Sequence, residues 1–288
     1  MSSGLLDIMR RSRNSLSAFE ASLRIKTNNS ANVATVGYKS IDQSFTTVFN
    51  EVLNSGIGSQ SGQGSVNPTQ FGSDVAINNI KLDFSQGDLG EGTQMDMAIT
   101  GRGLFLVSRD GGNSFLYTRS GEFGIDTSGK FVVDSSGRQL FGYKITGGVA
   151  DTSKLVPIDV TGATNLGWKA NGVLVANFDD GNADTPSTGV ETPIYQAALA
   201  DFRNPEGLLQ FDGTAFEATL SSGTPTAMGI AGSGDLGTIQ PQKVEKSNVF
   251  FIGETIDAIE IQRAISASLS SIKMASDIIS QVINRLSS

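Results

Sequence analysis

Histidine and cysteine are absent from this 288-residue chain, and tryptophan occurs once. Without histidine there is no Ser-His-Asp or Cys-His nucleophile and no imidazole metal ligand. Without cysteine there is no disulfide, no thiolate nucleophile and no sulfur-bound metal, although that absence does not fix the compartment. Positive charge is also scarce: 21 Lys and Arg stand against 29 Asp and Glu, a net charge of −8, so a phosphate backbone meets repulsion and no nucleic-acid partner is expected. The one basic cluster, Arg10, Arg11 and Arg13, reads as a solvated helix face. No apolar run approaches spanning length, so no membrane insertion is expected. The opening Met1-Ser-Ser-Gly-Leu-Leu-Asp lacks the cationic start and apolar run of a cleaved secretory signal.

What is present is glycine, 34 residues of it, in a chain that is 38% hydrophobic. This composition predicts a globular body of short strands joined by tight turns, with helices only locally. Leu5, Ile8, Met9, Leu16, Phe19 and Leu23 recur at helical spacing and predict a helix over about 4–27. The Gly- and Ser-rich stretch Ser55–Gly64 reads as an extended or flexible connector. Met95, Met97 and Ile99 alternate, and Leu104–Val107 is a short apolar run, so both read as strands. Asp110-Gly-Gly-Asn, Asp126-Thr-Ser-Gly and Asp134-Ser-Ser-Gly punctuate them as turns. Residues 146–192 are less hydrophobic and read as an inserted segment, after which strands return at Ile194–Phe202 and Ala215–Leu220. In the last forty residues Ile265, Leu269, Ile272, Ser276, Ile279, Ile283 and Leu286 are spaced alternately by four and three, the seam of a helix that packs on another helix. Ile278 and Val282 widen that stripe beyond the need of one partner, leaving apolar surface for neighbouring molecules.

The resulting expectation is an α+β fold. The N- and C-terminal helices (1–44 and 245–288) pair as a coiled-coil-like domain. A connector (45–83) leads to a mainly antiparallel β domain in two parts (84–145 and 193–244), divided by the inserted segment 146–192. The pattern also predicts that 65–244 folds alone, and that Ile272→Asp disrupts the seam where Lys273→Asp does not.

Loops that imitate chemistry lack its context. Gly232-Ser-Gly-Asp-Leu-Gly237 has dinucleotide-loop spacing, but Pro241 follows where a helix should begin. Asp180, Asn182, Asp184 and Glu191 occupy calcium-loop positions, yet Thr185 stands where the sharp turn needs glycine. The remaining aspartates sit in turns that explain them, so no carboxylate pair is read as catalytic. No enzyme activity and no cofactor are expected.

At the end of the first helix the chain reads Asn28-Asn-Ser-Ala-Asn-Val-Ala-Thr-Val-Gly-Tyr-Lys39. It continues through Phe84-Ser-Gln-Gly, Asp96–Val107, Tyr117–Phe123, Ala200–Leu208, Glu245-Lys-Ser-Asn-Val249 and Gln262-Arg-Ala264. These blocks, in this order, resemble the axial proteins of the bacterial flagellum: rod, hook and hook-associated subunits. Ser30, Leu104, Phe250 and Ser268 depart from the family pattern. The resemblance implies a helical homopolymer in contact with adjoining rod, hook or hook-junction proteins, delivered by the flagellar export apparatus to the hook or the basal-body rod. It suggests a compact hook protein first and the distal rod protein as the alternative. The residues expected to carry assembly are Asn28, Asn29, Asn32, Gly37, Tyr38, Ser247, Asn248, Gln262 and Arg263, with Leu269, Ile272, Ile279, Ile283 and Leu286 on the seam. Asn28, Asn29 and Asn32 are expected to close the first helix, and Gly37 to turn the chain into the connector.

Overall fold

A computed structural model of the chain describes residues 2–47, 50–54, 69–72, 75–178 and 192–286. Ser55–Gly64 and the calcium-like loop Asp180–Glu191 lie outside the described residues. Among the described residues the fold is α+β, with two long helices, α1 (Ser2–Ala31) and α2 (Phe251–Leu286), and antiparallel strands. Neither helix is long and apolar enough to cross a membrane. The chain divides into two compact units, one of residues 1–31, 41–81 and 250–288, the other of residues 32–40 and 82–249.

In the helical unit α1 and α2 pack along one another. On α1 the covered residues Ser15, Ala18, Ser22, Ile25 and Asn29 alternate by three and four. On α2 they are Ile261, Ile265, Ser268, Ile272, Ala275 and Ile279. Serine and alanine at these positions let the two backbones approach closely. This corrects half of the expected seam: Ile265, Ile272 and Ile279 face inward, whereas Leu269 and Ile283 are 50% and 59% exposed. The inward row runs through Ser268 and Ala275, one residue earlier, so isoleucines and small residues alternate along it. Within 45–83, expected as a connector, the described residues include paired strands: Ile41–Thr47 joins Val75–Leu82, and Asn50–Asn54 joins Thr69–Gly72. Phe45 of this ribbon meets Phe19 of α1 edge to face at 5.9 Å.

The β unit is built on a twelve-stranded sheet. Its main path runs Ala163–Lys169, Val173–Phe178, Thr192–Asp201, Gln139–Thr146, Leu104–Ser108, Leu116–Thr118, Ala215–Glu217, Leu209–Asp212. Segment 146–192 is therefore no excursion where it is described. Ile158, Val160, Leu166, Trp168, Leu174 and Ala176 share one core with Met97, Phe105, Val107 and Leu140. The segment is polar as a whole because of its exposed positions at Asp151–Lys154 and the glycine tip at 147–148, while its inward positions stay apolar. Phe105 and Phe123 meet edge to face at 5.2 Å within that core.

The aspartate turns form as the sequence predicts. Asp126 Oδ1 accepts from the Lys130 and Phe131 amides, Asp134 Oδ1 from those of Ser136 and Arg138, and Gly129 and Gly137 take positive φ. Asp110 is held hardest: its carboxylate accepts from Ser108 Oγ at 2.6 Å, Ser114 Oγ at 2.7 Å and the Ser114 amide at 3.0 Å. These bonds, the one from Ser108 foremost, hold its carboxyl well below the usual carboxylate range. A depressed folded pKa means that the stabilisation is complete above the unfolded value near 3.9 and is lost as pH falls through the folded one. In an NMR titration Asp110 should therefore remain ionised at about pH 3, and Ser108→Ala should move its midpoint up toward the ordinary value near 3.9.

Candidate functional site

The chain leaves and re-enters the β unit at residues 40, 82 and 249, and polar side chains tie these points together. Ser40 donates its amide to Asn248 Oδ1 at 2.8 Å, and Asn248 Nδ2 donates to the Asp83 carbonyl at 2.8 Å and to Ser85 Oγ at 3.0 Å. The Asp83 amide returns a bond to the Ser40 carbonyl at 2.8 Å. One asparagine thus clasps three segments.

Beneath it lies a buried ionic cluster. Lys39 Nζ is 2.6 Å from Glu245 Oε1 and donates to the Ser85 carbonyl at 2.6 Å. Arg119 lies 3.1 Å from Glu245 Oε2 and donates to the Gly101 carbonyl at 2.6 Å. The side chains of Lys39 and Glu245 are fully buried and that of Arg119 nearly so. Burial pushes the Lys39 and Arg119 pKa values down, against the opposing pull of Glu245. Glu245 also accepts from the Gly87 amide at 3.0 Å, and its carbonyl accepts from the Gly37 amide at 2.7 Å. Gly37 sits at φ +69° with its α-carbon against the backbone of Arg119 and Ser120, where a Cβ would lie 2.3 Å from the Ser120 nitrogen. Only glycine meets both conditions. Tyr38, beside it, is buried.

In the helical unit Asn29 does similar work. It lies inside the last turn of α1, which runs past the expected end, so it does not cap the helix. Its Nδ2 donates to the Ile41 carbonyl at 2.9 Å and its Oδ1 accepts from the Ile41 amide at 3.0 Å, holding the departing chain in both directions. Nδ2 also reaches Glu254 of α2 at 3.2 Å. Lys26 bridges Asp257 at 2.8 Å and Glu254 at 3.3 Å; burial alone would lower its pKa, but these two carboxylates raise it overall.

The expected site residues thus separate. Gly37, Tyr38 and Asn248 come together in the clasp, with Ser247 Oγ accepting from the Val249 amide next door at 3.3 Å. Asn32 accepts from Thr35 just beyond α1. Asn28, Gln262 and Arg263 are exposed on the helices, and the Leu286 side chain lies outside the described residues. Ile272 faces α1 and also lines a groove with Met9, Arg10 and Arg13, so Ile272→Asp tests the apolar seam and that basic groove together. Sequence reasoning missed Lys39, Arg119 and Glu245 as a set. The available signal was that each is a charged residue inside one of the quoted motif blocks.

Among the described residues α2 also carries a second apolar row: Ile252, Ile256 and Ile259 are 62%, 52% and 46% exposed. At about 100° per residue they lie opposite the face packed on α1. In the helical unit this row leaves α2 with apolar surface that α1 does not cover.

Residues 98–176 match the family model of the flagellar hook protein FlgE/F/G D1 domain. The chain is 26% identical over 267 residues to the flagellar basal-body rod protein FlgG of Bacillus subtilis, covering 92% of this chain and 94% of that protein. It is 26% identical over 274 residues to that of Agrobacterium fabrum, covering 94% and 96%. To the flagellar hook protein FlgE of Helicobacter mustelae it is 33% identical over 115 residues, 39% of this chain and 25% of that protein. The chain is thus similar to flagellar hook and basal-body rod proteins, to a shared domain over residues 98–176 and to the rod proteins along nearly its whole length.

Proposed function

We propose that the chain is the distal-rod subunit of the flagellar axis, polymerising into a tube through the outward apolar row of α2. What supports the rod over the hook suggested by the motifs is length. The rod relatives align along nearly their whole chains, whereas the hook relative aligns over a quarter of its own. The higher identity of the hook match keeps the hook as the second reading. Its partners are further copies of itself and the adjoining axial proteins, and it reaches them through the flagellar export apparatus. It turns over no substrate and needs no cofactor.

The observation that carries the polymer interface is the exposure of Ile252, Ile256 and Ile259 on a helix whose opposite face is already occupied. Ile256→Asp places a charge on that row without touching the α1 face. A charge trapped in a subunit interface costs several kcal/mol once desolvated, and a helical polymer repeats that cost in every copy. The variant should keep the wild-type melt as a monomer, yield no sedimentable polymer and abolish motility, while the exposed Lys273→Asp assembles. Normal assembly of Ile256→Asp would remove this face from the interface. Antibody labelling separates the two locations: a straight shaft within the envelope supports the rod, a bent external segment the hook.

A further inference from the structure

The outward row of α2 needs a receiving surface on the next copy, and the helical unit carries one that matches it. Met9, Arg10, Arg13, Asn14 and Ser17 of α1 and Ile272 of α2 line an open groove of about 630 Å³. Met9 and Ile272 give it an apolar wall. Arg10 and Arg13, three residues apart and so neighbours on the helix surface, are exposed. Among the described residues neither guanidinium has a carboxylate partner. The outward row carries the opposite charge. Glu260 follows Ile256 by four residues and therefore stands one turn along on the flank of the row. It is exposed and, among the described residues, without a basic partner. Ile252, Ile256 and Ile259 thus form an apolar ridge with a carboxylate at its edge, and the groove offers an apolar wall with two guanidinium groups. Within one copy the two cannot meet. Ile256 and Ile272 are sixteen residues apart on one helix, about 24 Å along its axis, and the row faces away from α1.

We propose that the groove at Arg10, Arg13 and Ile272 of one copy receives the Ile252–Glu260 face of the next, with Glu260 lying against the two guanidinium groups. This rests on the reading of the outward row as the polymer interface, and adds which surface of a second copy covers it. An amphipathic helix laid in an apolar groove supplies the burial, and the opposed charges set register and exclude the reversed orientation. Row and groove are different patches, so the contact is heterologous, and their offset along the helix axis keeps successive copies from closing into a flat ring. Each copy offers one row and one groove, and the copies line up head to tail.

The test is an exchange of charge across the contact in the full chain. Glu260→Arg alone, and Arg10→Glu/Arg13→Glu alone, each set like charges face to face. Each should raise the protein concentration needed for sedimentable polymer by about tenfold and stop the swimming of cells that carry no other copy. All three substitutions together bring opposite charges back into register and should return assembly to within about threefold of wild type, with swimming. The three sites are exposed, so every variant should keep the wild-type helicity and melt as a monomer. Normal assembly of either parent, or loss in both parents without rescue in the triple variant, overturns the groove as the receiving surface. Ile256→Asp, run beside them, tells this failure from failure of the interface itself. If Ile256→Asp does not assemble and the triple variant is not rescued, the row remains the interface and its receptor lies elsewhere. If Ile256→Asp assembles normally, the row falls and the groove with it.

Discussion

Glu245→Gln should lower the melting temperature of the β unit by about 10 °C, read from the fluorescence of Trp168, whereas Lys39→Met should shift it by no more than a degree or two. The asymmetry follows from the charges. Glu245 is the one carboxylate that both Lys39 and Arg119 contact, at 2.6 and 3.1 Å. Neutralising it leaves two buried cations facing each other, and removing one partner of a buried pair costs about 3–5 kcal/mol because a charge is left uncompensated. For a unit of this size each kcal/mol moves the midpoint by about 2–4 °C. Removing the lysine charge instead leaves Arg119 and Glu245 paired, and methionine keeps most of the apolar stem. The double variant Lys39→Met/Glu245→Gln should lose less than Glu245→Gln alone, since one of the stranded cations is gone. Equal losses from the two single variants would mean that the three groups do not act as one cluster.

Fragments should rank by whether they keep Glu245. The sequence pattern marks 65–244 as a body that folds alone, but in the structure that cut removes the carboxylate on which buried Arg119 depends, and residues 32–40 of the same unit besides. A fragment of 65–244 should show no cooperative transition at 25 °C. Extending it only to 249 restores Glu245 and Asn248 and should bring back a sharp melt. Beginning at 32 adds Tyr38, whose complete burial is worth about 1.5–3 kcal/mol by analogy with other large side chains, so 32–249 should melt higher still. Urea titration of the three by Trp168 fluorescence decides the order. A cooperative 65–244 would show that the buried cluster is dispensable.

Much of this was legible in the sequence because it is local. Aspartate turns depend on a side chain reaching two to five residues along the chain, and Asp110, Asp126 and Asp134 do so. Both helical ends announced themselves by apolar spacing, and Gly37 by its place at the end of a helix. What the sequence hid depends on distance or on size. Lys39 and Glu245 lie 206 residues apart, and Arg119 lies 126 from Glu245, so no window contains their pairing. The inward row of α2 passes through Ser268 and Ala275, which hydrophobicity ignores but close helix packing selects. Hairpins between 149 and 178 were hidden by averaging, since their exposed polar positions diluted the inward Ile158, Leu166 and Trp168.

The small residues between α1 and α2 set how the helical unit responds to temperature. Exposing apolar surface raises heat capacity by about 0.45 cal/K/mol per Å², and exposing polar surface lowers it by about 0.26. The α1–α2 interface sets Ser15, Ala18, Ser22 and Asn29 among Ile25, Ile261, Ile265, Ile272 and Ile279, so it mixes the two, and the polar positions offset part of the heat-capacity change that the isoleucines give. Covering Ile252, Ile256 and Ile259 against a neighbour is almost purely apolar burial, whose driving force fades on cooling. The contacts inside the subunit are thus partly sheltered from cold by their polar positions, whereas a tube joined as proposed through that face loosens as the temperature falls.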